Sequence, residues 1–230
     1  MKKLLLLLLF LIPILTSCAN KMPITKSSFD EAKKIDDMNH LIDFQRISHS
    51  IPEGTLIESV QGGYFCEVQQ GWAVGGIDGY SRGPGVPLHF TQAEYSAVGI
   101  TDKTDMNVVS FKTIENNLKK SNIKLSRTAD LKLSALITDI KMNTCLQPGG
   151  FKTKGEVSFM IKWKIYSKMM KKDLFELDIL SYAEETEFLK NGVEKYVTNA
   201  YSSNVNKLIN NVEFRKLINS NNIYSNNESF

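Results

Sequence analysis

Histidine and cysteine are scarce in this chain, with three of each among 230 residues. His40, His49 and His89 lack the close paired spacing that sets two imidazoles on one helix face or strand, so no metal site is expected from them. Neither a Gly-x-x-x-x-Gly-Lys-Ser/Thr loop nor a Gly-x-Gly-x-x-Gly fingerprint occurs. Without a glycine cradle for phosphate a nucleotide has no footing, and no cofactor is expected. A basic excess is missing too. Lys and Arg number 28 against 25 Asp and Glu, and setting aside Lys2 and Lys3 leaves 26 against 25. Nucleic-acid binding needs cationic side chains to displace phosphate counterions, so nucleic acid is excluded as an expected partner.

Long apolar runs are also absent, except one at the amino terminus. Met1-Lys2-Lys3 is followed by Leu4 to Leu15, interrupted only by Pro13, before polar Thr16 and Ser17. A spanning helix needs about 20 apolar residues, so this run is too short to stay in a bilayer and reads as a secretory leader. Leu15-Thr16-Ser17-Cys18 resembles the lipobox of bacterial lipoproteins, in which a cysteine is acylated and the leader is cut away before it. That resemblance implies residues 1–17 as signal peptide, lipid on Cys18, and a membrane as partner. Each buried methylene contributes about 0.8 kcal/mol, so several acyl chains hold firmly where one holds marginally. Ala19 stands where lipoproteins kept at the inner membrane typically carry Asp. The resemblance therefore implies a periplasm-facing anchor in the outer membrane.

Cys66 and Cys145 are left once Cys18 is acylated. In an exported protein they permit one intramolecular disulfide, which an oxidising periplasm preserves, and closing a loop of that length stabilises by roughly 4–5 kcal/mol on the chain-entropy model. Two separate buried thiols are the alternative.

Along the chain, residues 18–54 are polar and mixed and are expected to form a tether, with a short helix around Phe29–Ile42. Residues 55–218 read as one α+β domain. Its first part, 55–100, alternates short β-type runs (Thr55–Val60, Tyr64–Val68, Trp72–Val74, Tyr95–Ile100) with glycine clusters: eight of the 14 glycines lie between Gly62 and Gly85. Such density gives turns and loops rather than helices. In its second part, 101–218, Val108, Phe111, Ile114 and Leu118 recur at helical spacing within Met106–Lys120, capped from Asp102, Thr104 or Asp105. Ile123 and Leu125 suggest a short strand. Leu131 to Ile137, Val157 to Ile165 and Phe175 to Ile179 alternate apolar with polar residues, and so predict an antiparallel three-strand meander with one buried face. Val193, Val197, Ala200, Val205, Leu208 and Val212 predict a long amphipathic helix to about Ile218, so that two helices cover the sheet's apolar face. Residues 219–230 read as a disordered tail.

The order helix, three strands, helix resembles small periplasmic α/β domains such as the amino-terminal domain of the Tol–Pal translocation protein and the curli-secretion lipoprotein. Ala129-Asp130-Leu131 through Ile140 to Cys145, Gly155-Glu156-Val157 through Tyr166, Phe214-Arg215-Lys216-Leu217 and Gly63-Tyr64-Phe65-Cys66 resemble an accessory region that precedes trypsin-like peptidase domains in some exported bacterial proteins. No Gly-Asp-Ser-Gly-Gly segment occurs, so the resemblance implies the accessory module without peptidase activity.

One enzyme motif is present, Gly79-Tyr80-Ser81-Arg82-Gly83. In an α/β-hydrolase this spacing lifts the serine on a sharp turn leading into a helix, but Pro84-Gly85-Val86-Pro87 stands where that helix would start, and no histidine follows His89. A glycine-rich turn is the better reading, and the catalytic set is expected to be empty. Adjacent carboxylates such as Glu184-Glu185 and Asp36-Asp37 point apart on a strand or helix, so they read as solvated charge. Tyr64, Trp72 and Tyr80 are a candidate ligand surface, for example for glycan, although aromatics of this kind more often pack over a sheet. The expectation is a lipid-anchored, non-catalytic scaffold or accessory component of the cell envelope that docks another envelope protein. A peptidoglycan-binding module is the alternative, and a hydrolase at Ser81 the third.

Overall fold

The alternation from Val157 to Ile165 becomes the central ribbon of a sheet. A computed structural model describes residues 22–35, 40–52, 55–62, 86–89, 108–147 and 152–220. Within them lie strands β1 (Ile42–His49), β2 (Leu56–Gly62), β3 (Val86–His89), β4 (Leu131–Leu146), β5 (Thr153–Ser167) and β6 (Lys172–Leu189), and helices α1 (Val108–Lys120), α2 (Gly192–Asn210) and α3 (Val212–Asn219). Five strands stand in the order β3-β2-β4-β5-β6, and β1 pairs with β4 off that path.

β4, β5 and β6 form the expected antiparallel meander. Val157, Phe159, Ile161, Trp163 and Ile165 point to one side and are fully buried. Each such side chain contributes roughly 1.5–3 kcal/mol on burial. α2 lies over β5 and β6: Tyr201 stacks on Phe159 at 4.6 Å, and Phe214 of α3 meets Phe175 edge-on at 5.8 Å. α1 reaches the same core through Phe111, stacked on Phe44 of β1 at 4.8 Å, while Phe44 also leans on Trp163 at 6.4 Å. The opposite side of the meander is a ladder of ions, with Lys162 at 2.8 Å from Glu176 and Lys164 at 2.7 Å from the same carboxylate. One dry face and one wet face explain the period of two.

The sheet as a whole is mixed, which corrects the expectation of a purely antiparallel one. β1 and β2 both run parallel to β4 and share its free edge: Ile42 to His49 pair with Leu131 to Ile137, and Glu58 to Gly62 with Met142 to Leu146. β4 can hold both because it is long, continuing past Ile137 through an irregularity at Ile137/Asp139.

Part of the stretch read as tether is therefore core. Ile42, Phe44, Ile47 and Ile51 are buried, and residues 29–35 of the helix expected around Phe29–Ile42 carry no regular secondary structure. The expected single helix to Ile218 is two. Asn211 adopts φ −65° and ψ 130°, and its side chain accepts from Phe214 N at 2.9 Å, ending α2 and capping α3. The strand suggested at Ile123 and Leu125 reduces to a single bridge between Leu125 and Ile42. β3 contains Pro87, which an edge strand tolerates because its outer side needs no N–H donor.

Candidate functional site

Of the residues singled out from sequence, Cys18, Tyr64, Cys66, Trp72, Tyr80 and Ser81 lie outside the described residues, as do Asp36 and Asp37. Cys145 is described. It is buried near the end of β4 and is disulfide-bonded, with its partner outside the described residues. The register sets Gln61 of β2 beside it, five residues before Cys66. The histidines are dispersed: the His40 ring meets Ser220 O at 2.7 Å, His49 is buried at the end of β1, and His89 ends β3. Among the described residues no group of three or more His, Cys, Asp or Glu is placed to hold a metal, and no helix is long and apolar enough to cross a membrane.

Two polar clusters stand out instead, and sequence reasoning missed both. The first lies on the wet face, where Asn143, Glu156 and Glu184 share one row across β4, β5 and β6. Asn143 Oδ1 accepts from Met22 N at 2.8 Å, and its Nδ2 donates to Met22 O and to Glu156 Oε1, each at 3.0 Å. The Tyr182 hydroxyl is shared between Glu184 and Glu156, and Lys26 Nζ reaches Glu184 at 3.2 Å while lying over the Tyr182 ring. Donation from Tyr182, then from Lys26, holds the Glu184 carboxyl below its usual range. Burial, reinforced by the two carboxylates, pushes the Tyr182 hydroxyl far up. Neither group is poised near neutral pH, where general acid–base chemistry would want it. What the cluster does is grip the chain at Met22 and Lys26.

From there the segment 22–35 is fastened along its length. Ser27 Oγ donates to Leu180 O on β6 at 3.4 Å, and Asn206 Nδ2 of α2 donates to Asp30 O at 3.0 Å. Asn210 closes a two-point bond, accepting from Lys33 N at 2.9 Å and donating to Glu31 O at 2.8 Å. Arg215 Nη2 donates to Lys34 O at 3.2 Å, and Ile35 N donates to Ser121 O at 3.2 Å. Side-chain amides thus supply the partners that a strand neighbour would give an extended chain. The segment is a strap running from the wet face past β6 and across the helices.

The second cluster is interior. Glu58 of β2, Thr144 of β4 and Tyr196 of α2 are all buried; Thr144 Oγ1 donates to Glu58 Oε1 at 2.5 Å and lies 2.6 Å from the Tyr196 hydroxyl. Burial raises the Glu58 carboxyl above its usual value, with the Thr144 bond opposing it, and burial likewise raises Tyr196. The available signal was a glutamate placed directly after Ile57, inside a β-type run. A bulge at Leu56/Glu58 lets Ile57 and Glu58 both turn inward.

No protein-family model matches the chain, and no curated protein matches it. Among solved structures, the chain is similar to protein XCC0632 from Xanthomonas campestris, of the family model DUF330. The identity is 9%, over 81% of this chain and 92% of that one, with a TM-score of 0.42. A second similar structure is described as an uncharacterized protein, at 9% identity over 78% of this chain and 97% of that one, with a TM-score of 0.40.

Proposed function

We propose that the chain is an envelope lipoprotein, anchored through acylated Cys18, facing the periplasm from the outer membrane, and acting as a non-catalytic scaffold or accessory component that docks another envelope protein. The observation that carries this reading is the leader ending in Leu15-Thr16-Ser17-Cys18, followed within four residues by a chain already seated on the folded domain at Met22. Lipid confines the domain to two dimensions, and the domain's surface then meets its partner at raised local concentration. A disulfide between Cys66 and Cys145 belongs to the same reading; the disulfide-bonded Cys145 and the nearness of Gln61 in register support it.

The test is Cys18→Ser. The parent should incorporate labelled palmitate and lose residues 1–17, whereas the variant should accumulate as an uncleaved, unlabelled precursor. Normal maturation of the variant contradicts the reading. Retention of the parent on isolated cell-wall sacculi, without co-purifying envelope proteins, would replace the scaffold by the glycan-binding reading of Tyr64, Trp72 and Tyr80.

A further inference from the structure

The fastening of Met22 fixes where an anchor at Cys18 must pull. Four residue steps separate Cys18 from Met22, and a fully extended chain covers at most about 3.6 Å per step, so the two lie within about 14 Å of each other. Met22 is only 9% exposed, and both its backbone polar groups are held by Asn143. The strap beyond it is bonded at Ser27, Asp30, Glu31, Lys33, Lys34 and Ile35, so no slack is stored downstream. We propose, resting on the lipoprotein reading, that the sheet end bearing Met22, Asn143, Lys154 and Glu156 is the face that lies against the lipid headgroups of the anchoring membrane, and that the hairpin joining β5 to β6 is the outward end.

The dimensions of the sheet make these two ends distinct. Lys154 lies at the start of β5 and Ser167 at its end, and a rise of about 3.3 Å per residue puts them roughly 40 Å apart. The hairpin is itself firmly built: Asp130 accepts from Met169 N and from Ser167 Oγ, each at 2.7 Å, and Lys168 Nζ donates to Ala129 O at 2.6 Å. Its tip presents Met169, 69% exposed. The wet face gives the bilayer no reason to draw the sheet down flat. Lys141, Lys162 and Lys164 are paired with Asp139, Asp173, Glu176 and Asp178, so the ladder offers no positive excess to anionic headgroups. The domain stands on its anchor and holds Met169 away from the membrane.

The experiment uses the lipidated protein from its native host, carrying Lys154→Cys or Lys171→Cys labelled with a donor fluorophore, in phosphatidylethanolamine–phosphatidylglycerol vesicles with an acceptor on the headgroups. Energy transfer from position 154 should exceed that from position 171 several-fold. Mass measurement of the amino-terminal peptide reports acylation in the same samples, and amide exchange reports protection at Met22 and Lys33. Acylated protein with equal or reversed transfer from the two positions overturns the proposal and leaves the lipoprotein reading intact. A chain with no lipid on Cys18 overturns both. Rapid exchange at Met22 in acylated protein also overturns the proposal, because the strap would then be a free leash. Asn143→Ala, which releases Met22 without touching Cys18, should bring the two transfers closer together.

Discussion

The indole N–H of Trp163 donates to the Asn204 side-chain oxygen at 2.7 Å, deep between sheet and helix. Asn204 also donates to Ile179 O at 2.8 Å and to Ser181 Oγ at 3.1 Å, so one fully buried amide satisfies groups on two strands. Asn204→Ala would leave those groups unpartnered and open a gap. An unsatisfied buried donor costs roughly 1–3 kcal/mol, so a total loss of about 3 kcal/mol is expected. Urea unfolding followed by Trp fluorescence measures it, and an unchanged midpoint would contradict the network's role.

Glu58 gives a pH dependence with a definite sign. Its folded carboxyl is raised from 4.5 because burial disfavours the charge. Its favourable contribution is therefore fully present below about pH 4.5, and it is lost as pH rises through the folded value. Glu58→Gln removes the ionisation while keeping an acceptor for Thr144. The variant should be more stable than the parent at pH 7 and lose that advantage toward pH 4, as read from melting temperatures across that range. A variant less stable at both ends would show that the carboxylate itself is favourable.

Two glycines mark close backbone approaches. A Cβ on Gly192 would fall 2.0 Å from Thr153 O, and one on Gly155 would fall 2.2 Å from Asn143 O. Relief requires the start of α2 to move off β5, or β5 off β4. Gly192→Ala should cost at least about 1–3 kcal/mol, the usual range for overpacking, although alanine is ordinarily the better helix former. Thermal unfolding would decide it.

Non-reducing peptide mapping of the protein purified from its native host should recover Cys66 cross-linked to Cys145. Reduction should lower the melting temperature, in line with roughly 4–5 kcal/mol from loop closure. Free thiols at both positions would remove the bridge.

Ser81→Ala should complement a deletion strain fully. A nucleophile needs a base within hydrogen-bond reach and oxyanion donors, and the sequence around Ser81 offers glycine and proline. Loss of function in the folded variant, together with fluorophosphonate labelling of the parent, would make the chain a hydrolase.

The meander was legible because Val157 to Ile165 obey a period of two without a break, and the amphipathic stripe from Val193 to Leu208 was legible for the same kind of reason. β1 was hidden by its own irregularity. A bulge between Phe44 and Arg46 shifts the buried positions from Ile42 and Phe44 to Ile47 and His49, so simple alternation fails where the strand is real. The break at Asn211 was hidden because Leu208 and Val212 keep helical spacing across it. The strap was illegible in principle: its partners Asn143, Asn206 and Asn210 are far away in sequence, and an asparagine's amide bonds leave no periodic mark. Glu58 was legible only as an anomaly. Its acceptable burial depends on Thr144 and Tyr196, which only the parallel pairing of β2 with β4 brings near.

That parallel pairing also dictates the order in which the chain can assemble. β4, β5 and β6 are joined by short connections and can zip as hairpins on a microsecond scale. β1 and β2 must instead wait for an edge that lies far downstream, since Ile42 pairs with Leu131 and Glu58 with Met142. Contacts between such distant residues close slowly, because the loop entropy is spent before any pairing compensates it. A chain that emerges amino terminus first therefore exposes Ile42, Phe44, Ile47 and Ile57 for the whole time that β4 is being delivered. β1 can close onto the sheet only once Leu131 to Ile137 are available, and β2 only once Met142 to Leu146 are.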